Sequence, residues 1–286
     1  VPMVLNASDH SPEPASFLGQ TVGSGDGASR LRLALDILFN HPNVGPFIGR
    51  QLIQRLVTSD PSPAYVGRVA AAFNNNGAGQ RGDLRAVTRA VLLDPEARQD
   101  PSLKGTTWGK LREPMIRFVQ WARTFGATSA DGKWILWDMS DPSRHLGQSP
   151  LRSPSVFNFF RPGYVPPGTA LATHGQTAPE FQLTNENSVA GYLNFMQGVI
   201  AWGYGAQASR IAVTSYPREL ALVDDPDALV QRVNLLLAAG QLSTTTLTTI
   251  RNAIASIRIW GDNERKVRVW ATIALVMASP EYLVQK

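Results

Sequence analysis

Two carboxylates six residues apart, Glu180 and Glu186, flank Thr184-Asn185 and are the pair best suited to acid/base work in this chain. Carboxyl groups about 5 Å apart, or roughly 6.5–9.5 Å apart, would suit retaining or inverting glycoside hydrolysis respectively. Six residues of chain leave that separation open, and Glu186 reads equally well as a first-turn helix residue behind Thr184 as N-cap. A second candidate is His10, beside Asp9 and close to Glu13. An acid/base pair or a metal site there would need partners converging from elsewhere, because no H-x-x-x-H or H-E-x-x-H spacing occurs. Loop residues bonded to the backbone are the plainer reading of that trio. Asp131, Asp138 and Asp141 could offer oxygens to calcium but lack EF-hand spacing, so no metal site is assigned.

Two further groups are suited to contact rather than to bond breaking. Arg112-Glu113 opens a helix, where a Glu favours the macrodipole and can satisfy an orphan N–H, and Arg112 is free to pair with a carboxylate of the aromatic loop. That loop, Ser153–Tyr164, carries Phe157, Phe160 and Tyr164 with polar tips at Asn158 and Arg161. Rings and polar tips of this kind suit, in order, a satellite core beneath a long loop, a protein interface and a sugar cleft. Signatures of other chemistries are missing: the sequence has no G-x-S-x-G elbow and no P-loop. Gly77-Ala78-Gly79-Gln80-Arg81-Gly82 has glycines at the first, third and sixth positions, but it links two helices without a preceding strand and reads as a turn. No cofactor is implied.

The elements that must position these residues are helical. Leu31, Leu35 and Leu38 recur at helical spacing in a predicted helix from about Ser29 to Asn40, stopped by Pro42. A second helix spans about Val44 to Thr58 on Phe47, Ile48, Leu52, Ile53 and Leu56. Ser62 caps a third that begins at Pro63 and ends in Asn74-Asn75-Asn76-Gly77, and Asp83 caps a fourth that stops at Asp94-Pro95. A longer helix is expected from about Lys110 to Phe125. Further helices are expected at about Asn185–Gly203, Asp227–Gly240, Ser243–Ser256 and Asn263–Met277. Val1 to Gly27 reads as an extended loop. Between Gly126 and Thr184 nearly sixty residues rich in Pro, Gly, Ser and aromatics show little helical periodicity, with a small strand pair expected around Trp134–Asp138; long ordered loops of this kind are often functional.

Composition bounds the class. With 286 residues, 43% of them hydrophobic, the chain can bury a substantial core, and 24 glycines and 20 prolines point to long ordered loops between helices. The absence of cysteine excludes disulfides, thiolate metal sites and thiol nucleophiles. The net charge of +5 comes from dispersed arginines rather than a basic cluster, which argues against a nucleic-acid footprint. No apolar stretch approaches the ~20 residues of a membrane span, and no signal peptide is read in the chain, which opens at Val1.

Six ordered phrases carry a resemblance. They are Phe17-Leu18-Gly19 after Asp9-His10, His41-Pro42 before an Arg-bearing helix, and Leu92-Leu93-Asp94-Pro95-Glu96-Ala97-Arg98. Gly109-Lys110-Leu111-Arg112-Glu113-Pro114, Ser153-Pro154-Ser155-Val156-Phe157-Asn158-Phe159-Phe160 and the closing Ala278-Ser279-Pro280-Glu281-Tyr282 complete the set. In this order the chain resembles the bacterial family catalogued as domain of unknown function 1800, over essentially its whole length and as the C-terminal part of a full-length member. The resemblance implies export to the cell envelope, the periplasm or the medium. It also implies a protein partner, either a second exported protein of the family catalogued as domain of unknown function 1501 or a helical N-terminal half expected upstream. It implies no reaction.

The reading is therefore a mainly α multi-helix domain with a long aromatic, Pro/Gly-rich ordered loop. It is taken as one domain, 1–286, with a possible subdivision into helices at 1–126, loop at 127–184 and helices at 185–286. The expected function is a secreted or envelope-associated interaction module with a protein partner and a glycan as a further candidate ligand, without nucleic acid and without a membrane span. The alternative is a carboxylate-dependent polysaccharide-active enzyme.

Overall fold

The computed structural model describes residues 3–105 and 108–286, so the first two residues of the opening segment lie outside the described residues. The chain forms two compact units, one from Val1–Val57 with Pro61–Gln99 and one from Thr58–Asp60 with Asp100–Lys286. Both are helical, as the periodicity predicts.

In the first unit the opening segment is not all loop. A hairpin pairs β1 (Ala15–Phe17) with β2 (Gln20–Val22), Phe17 opposite Gln20. Its two-residue turn is Leu18-Gly19, both with positive φ, the geometry that matches the twist of a tight hairpin. Four helices and one short turn of helix follow. They are α1 (Gly27–Asn40), α2 (Val44–Leu56), α3 (Pro63–Asn74), α4 (Leu84–Leu93) and α5 (Pro95–Arg98). The expected caps are in place: the Ser62 hydroxyl accepts from the Tyr65 N–H, and the Asp83 carboxylate from the N–H groups of Arg85 and Ala86. Gly45 and Gly49, one turn apart, let α2 lie close to α3, since a Cβ on Gly49 would sit 3.0 Å from Val69 Cγ1. The core between α2, α3 and α4 is Ile53, Tyr65, Val69, Phe73, Val87 and Val91, all buried.

Helix α1 departs from expectation in its facing. Its leucine stripe exists, but Leu31, Leu35 and Leu38 are 60%, 55% and 47% exposed, and Gly27 is its one fully buried residue. The helix is held by other contacts. The Arg30 guanidinium binds the carbonyls of Ser11 and Glu13. At the far end Arg81 lies between Phe39 and Phe73, 5.6 and 4.9 Å from the ring centres, and donates to the carbonyls of Phe39 and His41. The glycine string at 77–82 is the turn expected. Asn75 and Asn76 side chains accept from Gly77, Ala78, Gly79 and Gln80 N–H groups, which leaves no phosphate-binding cradle of free amides there.

The second unit is built on α6 (Pro114–Thr124), α7 (Ala170–Thr173), α8 (Glu186–Trp202), α9 (Pro217–Leu220), α10 (Pro226–Ala238), α11 (Thr244–Ala255), α12 (Asp262–Ala278) and α13 (Pro280–Leu283). A two-residue strand, β3 (Lys110–Leu111), pairs antiparallel with β4 (Val284–Gln285) near the C-terminus. The helix expected from Lys110 therefore starts four residues later. Pro114 has no N–H to give and fits only the first turn, which sets the boundary. Helix α12 is central, buried through Val269, Thr272, Ile273, Val276 and Met277 against α8 and α10. A chain of bonds crosses the core, from Trp121 Nε1 to the Tyr216 hydroxyl and from that hydroxyl to the Ile200 carbonyl.

The expected strand pair at Trp134–Asp138 does not form. That stretch is irregular, and its aspartates fold it locally: Asp131 accepts from the Lys133 N–H, Asp138 from Ser140 and Asp141 from Ser143. Aromatic rings fix it to α8, with Trp137, His145 and Phe195 all edge-on to Tyr204 at 4.9–5.6 Å. Gly191 allows the close approach, because a Cβ there would run into the backbone of Pro142 and Ser143.

Candidate functional site

The best-defined buried polar cluster lies in the second unit and is centred on Glu180. The segment Thr58–Asp60 is hydrogen-bonded along two sides. On one, the Ser59 N–H and the Thr58 hydroxyl donate to the Gly109 carbonyl. On the other, the Thr177 hydroxyl donates to Asp60 Oδ1 at 2.8 Å and to the Ser59 carbonyl at 2.9 Å. Lys110 follows Gly109, whose φ of +138° and closeness to the Gln285 carbonyl tolerate no side chain. Glu180 comes from a 3-10 turn, Pro179–Leu183. These three pieces bring Lys110 Nζ to 3.1 Å from Glu180 Oε1 and the Ser59 hydroxyl to 2.7 Å from Glu180 Oε2. Glu180 is only 1% exposed and Lys110 and Ser59 are also buried.

A small cavity of about 160 Å³ opens beside this cluster, lined among others by Asp60, Trp108, Lys110, Leu171, Gln176 and Thr177. Glu180 stands behind that lining. A general base needs a lone pair aimed at the proton it removes, whereas each carboxylate oxygen of Glu180 already accepts from a donor of the chain. The arrangement is that of an internal latch: a buried ion pair with a hydroxyl donating to the second carboxylate oxygen.

The other sequence candidates are dispersed. Glu186 is exposed in the first turn of α8, and the N-cap is Asn185 rather than Thr184, because Asn185 and Ser188 form a reciprocal capping box. Glu180 and Glu186 thus occupy unlike environments, one sequestered and one solvated. His10 is half-buried in the first unit, near Gly27. Asp9 is taken up by Asn6 and Ser8, and the Glu13 carbonyl by Arg30. No group of three His, Asp or Glu side chains able to hold a metal occurs among the described residues.

Arg112 and Glu113 act at helix ends. Arg112 Nη1 donates to the Leu237 carbonyl in the last turn of α10 and to Gln120 Oε1, and its guanidinium lies 4.8 Å from the Tyr282 ring centre. It caps a helix C-terminus, where a cation is favoured; the pairing expected with a loop carboxylate is not the one formed. Glu113 is the N-cap of α6 without a capping bond of its own. It accepts from Gln148 Nε2, and Gln148 Oε1 accepts from the Met115 N–H, so the long loop supplies the cap. Beside them Arg117 is buried, donating to the Arg112 carbonyl, with its guanidinium 4.5 Å from the Tyr192 ring centre. Burial lowers the Arg117 pKa and pushes the Tyr192 phenol up to about 12, so the tyrosine stays neutral beside the cation at any ordinary pH.

The loop residues divide. Phe160 is buried, Tyr164 is half-buried, and Phe157 and Arg161 face solvent. Asn158, with a φ of +67°, closes a tight turn by donating its N–H to the Ser155 carbonyl. Sequence reasoning singled out Glu180 but missed Ser59, Asp60, Lys110 and Thr177. The one available signal was Lys110, one of only five lysines, inside a phrase that carries the resemblance.

Fold and site define a mainly α multi-helix protein with a buried Lys110–Glu180–Ser59 cluster in its second unit. The chain belongs to the family described as "Protein of unknown function (DUF1800)", which matches it over residues 2–284. No curated protein and no solved structure matches it. No helix among the described residues is long and apolar enough to cross a membrane.

Proposed function

We propose that this chain is an interaction module working outside the cytoplasm, secreted or held in the cell envelope, where it assembles with a second exported protein. The observation that carries the reading is α1. Leu31, Leu35 and Leu38 fall on one face at helical spacing and all point to solvent. A trough of about 360 Å³ runs alongside, lined in part by Leu18, Leu33, Ile37 and Pro42. Contiguous apolar surface of this kind marks contact sites more often than it is tolerated bare, and an amphipathic helix of the partner would cover it in the helix-in-groove manner. Export rests on the family resemblance.

The alternative, a carboxylate-dependent polysaccharide-active enzyme, has less support. It requires the buried Glu180 to become accessible to substrate and the exposed Glu186 to converge on it.

A photo-crosslinking amino acid at Leu35, introduced in the native source, tests the module. The expected product is a stoichiometric adduct with one exported protein, lost in a Leu31→Ser/Leu35→Ser/Leu38→Ser variant whose far-ultraviolet circular dichroism is unchanged. Exposed positions of this kind change stability by about 0.5 kcal/mol or less each. Recovery of the chain alone from cells would sink the reading.

A further inference from the structure

A second cleft lies wholly within the second unit, at the C-terminal end of α8. Trp202 is the last residue of that helix and is 67% exposed; its ring centre is 5.5 Å from that of Trp270 on α12, with the planes tilted by 58°. Together they bound a cavity of about 240 Å³ whose polar lining is Thr214, Ser215, Asn263 and Lys266. The far wall, Val213–Tyr216, is brought back by a sharp turn at Gly203. With φ +73° and the Ile211 carbonyl against its Cα, that position takes no other residue without strain.

The polar groups of this cleft are open to a ligand, in contrast to those used internally. In the core, Trp121 satisfies its indole N–H on Tyr216. Ser62 and Ser243 use their hydroxyls to cap helices. In the cleft the hydroxyls of Thr214 and Ser215, the Asn263 amide, the Lys266 ammonium and both indole N–H groups make no hydrogen bond or ion pair within the chain, among the described residues. None of the lining residues is acidic. Two apolar ring faces edged by neutral donors and acceptors and one cation complement a ligand with the same mixture. A pyranose fits: its C–H face lies on an indole, its hydroxyls meet the hydroxyl and amide groups, and a carboxylate on the ring meets the ammonium. The volume is below the roughly 300–1,000 Å³ of sites that enclose a whole drug-sized ligand, which suits one ring of a chain that continues into solvent.

We infer that the Trp202–Trp270 cleft binds one residue of an acidic, carboxylated glycan, with Lys266 selecting the acid. Titration calorimetry of the whole chain with a short oligogalacturonate, and with a neutral gluco-oligosaccharide of equal length, tests this. Saturable binding of the oligogalacturonate is expected, with Trp202→Ala weakening it by about tenfold or more. Lys266→Gln should erase the preference for the acidic over the neutral sugar. Both positions are exposed, so circular dichroism should show both variants folded. The proposal is overturned if neither sugar binds, if neither substitution alters binding, or if Trp202 becomes protected by a partner polypeptide while no sugar competes for it.

Discussion

The central helix of the second unit and the first helix of the first unit treat their apolar stripes differently. In the second unit, helix α12 is wrapped by α8, α10, α11 and α13, and the long-loop rings of His145 and Trp137 close onto Phe195 of α8 and onto Tyr204 just beyond it. Tyr282, Ile273, Leu229 and Ile254 have no exposed surface there. In the first, a modest core of α2, α3 and α4 is complete, yet the leucines of α1, together with Leu84, Leu92 and Leu93 of α4, face outward. Hydrophobic burial is what holds a helix to its neighbours. Helix α1 leaves its stripe in water and is held instead by arginine bonds at both ends. The binding surface proposed above rests on this uncovered stripe of the first unit.

The comparison can be broken most severely at Glu180. Glu180→Leu removes the carboxylate paired with buried Lys110 and is expected to cost about 3–5 kcal/mol, read as a lowered urea midpoint. Lys110→Met combined with Glu180→Leu should recover most of that loss, because two apolar side chains need no counter-charge. A double variant as unstable as the single one would show that the cluster's role is not that of an ion-pair latch.

A smaller effect is expected in the first unit. Arg81→Ala removes a cation held between Phe39 and Phe73 together with its bonds to two carbonyls, and should cost about 2 kcal/mol. Hydrogen exchange should quicken at α1 and the end of α3. Arg81→Lys should rescue little, since a single ammonium cannot reproduce the planar fork. Unchanged exchange at α1 would mean that its apolar contacts, not its arginines, hold it.

The smallest expected effect is a dependence on acid. Burial raises the pKa of Asp94, but the charged bonds from Arg68 and the Glu96 N–H outweigh it and hold the carboxyl below its ordinary value. A carboxylate with a depressed folded pKa contributes stability above its unfolded value of about 3.9, and that contribution is lost as the pH falls through the folded value. Amides at the α4–α5 junction should thus lose protection on acidification below about pH 4, and Asp94→Asn should make them indifferent over that window. Equal acid sensitivity in the Asn variant would assign the effect to another group.

Much of the fold was legible along the chain. Ser62-Pro63, Asp83, Ser243 and the Asp94-Pro95 stop are local signals, satisfied within one turn, and each stands where the spacing put it. Less was legible where the partner is distant. The β3–β4 pair joins Lys110 to Gln285, and the cap of α6 comes from Gln148, 35 residues beyond Glu113. Glu180 could be named as a carboxylate of interest, but its donors Ser59 and Lys110 lie 121 and 70 residues away in the chain.

The sequence by itself determined the main helices, most of their ends and the family, because capping, proline sterics and apolar periodicity act over three or four residues. Only the tertiary structure decided which way the α1 leucines face, that Glu180 is buried against Lys110 and Ser59, and that Trp202 and Trp270 share a cleft. Periodicity shows that a helix has an apolar side without showing what covers it, and the pairing of distant charges and rings exists only once the chain has closed on itself.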